Sequence, residues 1–214
     1  MKRYNAVVLD ADSTLSGIEG IDWLAARHGP TVQKAVEALT SRAMNGDAAL
    51  QDVYVLRLAM IGATPEDLRA LSDAYLATLA PGVADAIAAL HAAGVIVHVV
   101  SGGLRPALLP MTRSLNIADS HVHAVEPMGD AEGRLTGARP SPLMTQGGKS
   151  LVVEQLHLPH PVLAVGDGST DLAMRPAVHA FGAYIGFMRR DAVVAGADYV
   201  FRSFAALVDH VLSA

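Results

Sequence analysis

Two carboxylates close a short apolar run near the start of the chain, in Ala6-Val7-Val8-Leu9-Asp10-Ala11-Asp12-Ser13-Thr14-Leu15. Four apolar residues bounded by polar ones predict a buried strand. Asp10 and Asp12 then fall at its C-terminal edge, which is where ligands bind in open α/β sheets. Carboxylates this close repel, and one of them tends to hold a proton unless a cation is near. A bound divalent metal would relieve the repulsion. Taken alone, Asp-x-Asp after a strand is also ordinary turn and helix-cap chemistry. An EF-hand loop is excluded, because its sixth position would be Leu15 rather than glycine and its twelfth Ile21 rather than glutamate.

Two later strand ends carry complementary groups. Ser101-Gly102-Gly103 follows the run Val95–Val100, and Gly166-Asp167-Gly168-Ser169-Thr170-Asp171 follows Val162–Val165. In a parallel sheet all three ends share one edge, so they converge despite wide separation along the chain. A hydroxyl with glycine-flanked amides at a helix start makes a phosphate cradle. Aspartates beside it form an all-oxygen metal site, which suits Mg²⁺ and not zinc. Lys149 follows Gly147-Gly148 at a predicted helix start. That is a poor place for a cation unless a phosphate or a carboxylate cluster compensates. Glu19 opens the first helix beyond the aspartate loop, and Arg57 lies on or beside the apolar stripe marked by Leu50, Val53, Tyr54, Met60 and Ile61. Both also suit bland roles, an acid in a first helical turn and an arginine laying its stem on apolar surface. His121 and His123 alternate along a predicted strand and face one side, but the local sequence lacks a third metal ligand. His98 reads as a buried, hydrogen-bonded histidine.

The elements that must position these groups fall into two patterns. Beyond the first strand, residues 16–78 read as helical. Helices are predicted over Glu19–His28 and Thr31–Asn45, then from a cap at Asp47 to Ile61. Thr64-Pro65-Glu66-Asp67 opens a fourth, which runs to about Thr78. Four helices with short links suggest a small bundle inserted after the first strand. From Pro81-Gly82 onward helices and strands alternate. Strands are expected at Val95–Val100, Val162–Val165, Phe181–Ile185 and Tyr199–Val200, with two short strands within 121–137 around Gly129-Asp130. Helices are expected over Val83–Ala93, Arg105–Leu115 and Lys149–His157, with a last one from Ser203. This alternation predicts an α/β fold with a mostly parallel sheet covered on both faces. The division is residues 1–15 and 79–214 as the α/β core, 16–78 as a helical cap, and a small β-hairpin.

Composition bounds the partners. The 214 residues are 51% hydrophobic and 17% charged, enough for one sizeable core with a modest insertion. A net charge of −5 argues against a nucleic acid held on a basic surface. There is no cysteine, hence no disulfide, thiolate metal site or cysteine nucleophile. Lys2-Arg3 and the apolar residues after them do not make a signal peptide, because Asp10 interrupts the run too early. No stretch approaches the roughly 20 apolar residues of a membrane span. The default expectation is a cytoplasmic protein, monomer or homodimer, without membrane or nucleic-acid partners.

Asp10-Ala11-Asp12-Ser13-Thr14, Ser101-Gly102-Gly103, Gly147-Gly148-Lys149 and Gly166–Asp171 resemble, in order, the four motifs of the haloacid dehalogenase superfamily. Within it, Glu19-Gly20-Ile21-Asp22, Ser41–Gly46 and Arg57-Leu58 resemble the phosphoserine phosphatases, a likeness that extends to Ala183–Phe187 and covers nearly the whole chain. The resemblance implies a Rossmann-like core with an inserted helical-bundle cap. It implies a Mg²⁺-dependent hydrolase that converts O-phospho-L-serine to serine and phosphate through an aspartyl phosphate. Asp10 would be the nucleophile and Asp12 the general acid/base. Ser101, Gly102 and Lys149 would hold phosphate. Asp10, Asp167 and the Asp12 carbonyl would bind Mg²⁺, with Asp171 supporting the site from behind. Glu19 would meet the substrate ammonium and Arg57 its carboxylate, with Met44, Leu50 and Thr170 also at the substrate. Thr170 stands where some members carry Asn, and Leu50 where a bulky Phe is common, which leaves a looser pocket wall. A related small-metabolite phosphatase, or a phosphotransferase passing the group to homoserine, would use the same core and differ at Glu19, Arg57 and Leu50. A phosphoacceptor module of the response-regulator type fits poorly, since its acceptor aspartate ends the third strand and it lacks the helical insertion.

Overall fold

The computed structural model describes residues 2–44 and 49–213. The first strand, β1 (Ala6–Leu9), is wholly buried, as four consecutive apolar residues require in a sheet covered on both faces. Four helices follow: α1 (Gly20–Arg27), α2 (Pro30–Met44), α3 (Leu50–Ile61) and α4 (Pro65–Ala77). The chain then alternates through α5 (Val83–Ala92), β2 (Ile96–Leu104), α6 (Arg105–Ser114) and β3 (Val122–Val125). After β4 (Pro127–Gly129) and β5 (Leu135–Ala138) come α7 (Gly148–Gln155), β6 (Val162–Gly166) and α8 (Ser169–Leu172). The last elements are β7 (Ala180–Tyr184), α9 (Asp191–Gly196), β8 (Tyr199–Phe201) and α10 (Phe204–Leu212).

Six strands form one parallel sheet in the order β3-β2-β1-β6-β7-β8, and β4 pairs antiparallel with β5 as a separate hairpin. β1 lies between β2 and β6, with Leu9 level with Val99 and Val165. The chain winds away from β1 to one side through β2 and β3, and to the other through β6, β7 and β8. The C-terminal end of β1 is therefore the switch point of the topology, where a crevice opens between the loops. The α4 start is built as its sequence predicts. Thr64 Oγ1 accepts from the Asp67 amide at 3.2 Å, and the Asp67 carboxylate accepts from the Thr64 amide at 2.9 Å, a closed capping box.

The helical insertion is tied at its base. Gly17 N–H donates to Thr78 O at 2.9 Å, Ala80 N–H donates to Leu15 O at 2.8 Å, and the Ser16 and Thr78 hydroxyls lie 2.7 Å apart. The outgoing and returning chain thus run side by side at the edge where Asp10 sits. Helix α4 packs on α6, and the hairpin packs on α3.

Several elements differ from expectation. β2 does not stop at Val100 but carries Ser101-Gly102-Gly103 within the strand, because Leu104 still pairs with Val125 after a register shift. Only Val122–Val125 of the 121–137 stretch joins the main sheet, and the hairpin is made from the residues after it. Helix α3 begins at Leu50, with Ala49 at its N-cap position. Asp47, the expected cap, lies outside the described residues. Among those residues no helix is long and apolar enough to cross a membrane.

The three histidines meet. The His98 ring stacks between His121, at a centroid distance of 4.0 Å, and His123, at 5.3 Å, and its Nδ1 lies 3.0 Å from His123 Nε2. The facing His98 and His123 nitrogens share one hydrogen bond, which engages the lone pair a metal would need. Burial first, then His121 and His123, pushes His98 down to about 4. Burial, His121 and Arg105 lower His123 as well. The unfolded chain therefore takes up protons below about pH 6.5 that the folded chain refuses. Stability from this stack is complete above that pH and declines as the pH falls toward 4. The His98→Phe variant should show a shallower fall of Tm between pH 6.5 and 4 than the parent chain; an equal slope in thermal melts would contradict the assignment.

Candidate active site

Three buried carboxylates crowd the edge at the end of β1. Asp10 follows β1 directly, Asp167 follows β6, and Asp171 projects back from α8. One oxygen from each lies within 4.8 Å of the others. Asp171 Oδ1 accepts from Lys149 Nζ, and its Oδ2 accepts from the Gly168 amide at 2.9 Å. Asp171 is packed so tightly against the end of β6 that any side chain at Gly166 would overlap it.

Lys149 is the main counter-charge. Its Nζ donates to Asp10 Oδ1 at 2.6 Å and to Asp171 Oδ1 at 2.5 Å, and the side chain is buried. Burial alone would push this ammonium down, but the two carboxylates outweigh it and hold Lys149 above its ordinary value. That resolves the apparent misplacement of a lysine at a helix N-terminus, since its partners are these acids and not the helix dipole. Asp171 is raised to about 7, by burial first and by Asp10 next, while Lys149 pulls the other way. Asp167 Oδ1 accepts from Thr14 Oγ1 at 3.5 Å. Its Oδ2 is buried, makes no hydrogen bond, and meets only the guanidinium of Arg190 as an ion pair. Three carboxylates with one oxygen each within 4.8 Å form an all-oxygen set that fits a hard divalent cation.

Asp12 stands apart from this cluster. Its Oδ1 accepts from the Tyr75 hydroxyl at 2.6 Å and its Oδ2 from the Gly20 amide at 3.2 Å. Burial first, then the charges of Glu19 and Asp10, pushes its carboxyl up to about 8 against the pull of these two bonds. Above neutral pH is where a carboxyl can still hold a proton to give away.

A cleft of about 260 Å³ opens beside these acids. Asp10, Asp12, Ser101, Gly102 and Lys149 line its core side, and Glu19, Leu50, Arg57 and Thr170 line the rest. Asp167 and Asp171 line a second cavity instead, which shares Asp10, Glu19 and Thr170 with the first. Met44 cannot be placed, since it ends α2 and its side chain lies outside the described residues. Ser101 Oγ accepts from the Gly103 amide at 3.0 Å, which leaves its proton to donate. Arg57 pairs with Asp22 at 2.5 Å, and its buried Nε has no partner. Glu19 accepts from Ser13 Oγ at 2.7 Å and from Arg190 at 3.4 Å. Burial leads in raising the Glu19 carboxyl.

Three contributors escaped sequence reasoning. Arg190 reaches both Asp167 and Glu19 from the loop after β7. Its signal was available, because that loop leaves the same sheet edge. Tyr75 touches Asp12, and Tyr54 donates to Gly102 O at 2.6 Å. Tyr54 reads in sequence as a member of the apolar stripe that carries Arg57, and no sequence signal singled out Tyr75.

A family model for haloacid dehalogenase-like hydrolases matches residues 7–176. The chain is 31% identical over 214 residues to the chloroplastic phosphoserine phosphatase of Arabidopsis thaliana, covering 97% of this chain and 72% of the relative. It is 31% identical over 209 residues to the phosphoserine phosphatase of Rattus norvegicus, covering 95% of this chain and 92% of the relative. A phosphoserine phosphohydrolase-like protein from Francisella tularensis superposes with a TM-score of 0.83 at 26% identity, over 99% of this chain and all of the other.

Titrating the protein with chlorides of hard divalent cations should raise its Tm. A hundredfold excess over Kd stabilises by about 2.7 kcal/mol, roughly 5–10 °C for a chain of this size. Asp167→Asn should abolish the rise. No shift with any such cation, or a full shift in the variant, would contradict the carboxylate site.

Proposed function

This chain belongs to the phosphoserine phosphatase family of the haloacid dehalogenase-like hydrolases and is a phosphoric monoester hydrolase; on that premise we propose that it converts O-phospho-L-serine to L-serine and inorganic phosphate. The observation that carries this reading is one cleft lined both by the phosphoryl-transfer groups and by a pair of opposite charges. Asp10, Asp12, Ser101 and Lys149 form the first set, and Glu19 and Arg57 the second.

Asp10, Asp167 and the Asp12 carbonyl would hold Mg²⁺, with Asp171 supporting them from behind, and the bound metal would supply positive charge that offsets the negative charge of the reacting groups. Asp10 attacks phosphorus in line. The bond from phosphorus to the serine oxygen breaks, its electron pair stays on that oxygen, and Asp12 supplies the proton that makes serine. Asp10 is left as an acyl phosphate and Asp12 as a carboxylate. A water molecule then attacks phosphorus, gives its proton to Asp12, and returns the bonding pair to Asp10. Lys149, Ser101 and the Gly102 backbone hold the remaining phosphate oxygens through the change of charge. The helical insertion acts as a cap over the cleft. It shields the acyl phosphate from bulk water and opens to release product.

Selectivity comes from the charge pair. Arg57 has a buried Nε without a partner, which a substrate carboxylate can fill, and Glu19 offers a carboxylate to the ammonium. Each charge-assisted bond is worth about 1.5–3 kcal/mol. Leu50 and Thr170 complete the wall that meets the short serine side chain.

Phosphate release from a panel of phosphomonoesters tests the reading. L-phosphoserine should be preferred over phosphothreonine, phosphohomoserine and sugar phosphates, and only with Mg²⁺ present. Arg57→Ala should lower kcat/KM for phosphoserine about ten- to a hundredfold and spare p-nitrophenyl phosphate. Equal losses on both esters would remove the charge pair from the account, and a preference for sugar phosphates would overturn the substrate.

A further inference from the structure

Both hydrogen bonds on the Asp12 carboxyl come from the helical insertion. The Gly20 amide opens α1, and the Tyr75 hydroxyl reaches in from α4, 63 positions along the chain. Tyr75 is fully buried, and a buried phenol must find a partner. Its ring reaches Asp12 through a slot where two side chains are missing. A β-carbon at Gly20 would overlap the Tyr75 hydroxyl, and one at Gly103 would stand 3.4 Å from it. The slot is thus walled by α1 on one side and by the end of β2 on the other. The 2.6 Å bond is the shorter of the two on Asp12.

From this geometry we infer that Tyr75 is a positioning residue for the reaction, fixing the plane of the Asp12 carboxyl so that its proton is aimed at the leaving oxygen only when the insertion is seated on the core. The inference rests on Asp12 being the acid of the proposed reaction. In that step the phosphorus–oxygen bond breaks, the electron pair goes to the leaving oxygen, and the proton moves from Asp12 to it. An alkyl leaving group such as serine needs that proton. A p-nitrophenolate leaves without it. Loss of Tyr75 should therefore slow transfer from alkyl esters and spare transfer from aryl esters, which a purely structural role would not do.

The test is rapid-quench measurement of the first turnover with phosphoserine and with p-nitrophenyl phosphate, reading released serine and p-nitrophenol. Asp12→Asn sets the benchmark and should slow the serine burst far more than the nitrophenol burst. Tyr75→Phe should slow the serine burst about ten- to a hundredfold, leave the nitrophenol burst within about twofold, and leave KM unchanged. Tyr54→Phe removes another bond between the insertion and the core without touching Asp12, and should affect both esters alike. If Asp12→Asn shows no difference between esters, the assignment of Asp12 as the acid fails. If Asp12→Asn discriminates and Tyr75→Phe slows both equally, or neither, the inference about Tyr75 fails. Should Tyr75→Phe melt at assay temperature, Gly20→Ala displaces the hydroxyl instead and must show the same ester selectivity.

Discussion

Crowded negative charge at the end of β1 is the constraint from which the rest of this molecule follows. Two unit charges 4.8 Å apart repel by about 3 kcal/mol even at an effective dielectric of about 20, and three carboxylates share that space here. A sheet edge with such a cluster is stable only if cations are built in beside it. Lys149 supplies one from α7 and Arg190 another from the loop after β7. The parallel sheet makes this possible, because strands distant in sequence end on the same edge and bring their loops together. The same charge that endangers the fold is what the proposed reaction uses, as nucleophile and as cation site.

The insertion completes what the sheet begins. Asp12 leaves the sheet only two residues after Asp10, yet its carboxyl is held wholly by bonds from α1 and α4. Tyr54 adds a bond from α3 to the backbone of the phosphate cradle. In the proposed reaction the core supplies the nucleophile and the counter-charges, and the insertion holds the acid/base and meets the substrate's charged groups. Division of labour of this kind links chemistry to closure. On the inferred role of Tyr75, the acid is aimed only when the insertion is seated on the core.

The sequence was most readable where chemistry and local structure coincide. The ends of β1, β2 and β6 stood out because apolar runs stop abruptly at Asp10, Ser101 and Asp167, and start and stop signals such as Gly29-Pro30 and Thr64-Pro65 marked out the inserted helices. β3 was harder to assign, since Val122-His123-Ala124-Val125 lacks a continuous apolar run and draws its stability from pairing with β2. The extension of β2 through two glycines was hidden for a related reason, as only the partner strand at Val125 holds it extended. Tyr75 was invisible because its role depends on a contact 63 positions away, with Asp12, whereas Arg190, whose partner Glu19 is 171 positions away, was signalled only by its loop leaving the same sheet edge. A helical stripe reports that a tyrosine is buried, but not that its hydroxyl finds a carboxylate.

The account turns on Asp10 becoming covalently phosphorylated, and one measurement addresses that directly. Protein mixed with phosphoserine and Mg²⁺ is quenched in acid within the first turnovers, reduced with borohydride, digested and mapped by mass spectrometry. Reduction of an aspartyl phosphate leaves homoserine, so the account predicts homoserine in place of aspartate at position 10 and at no other site. Phosphate release without any such conversion, or conversion at Asp12, Asp167 or Asp171, would contradict it.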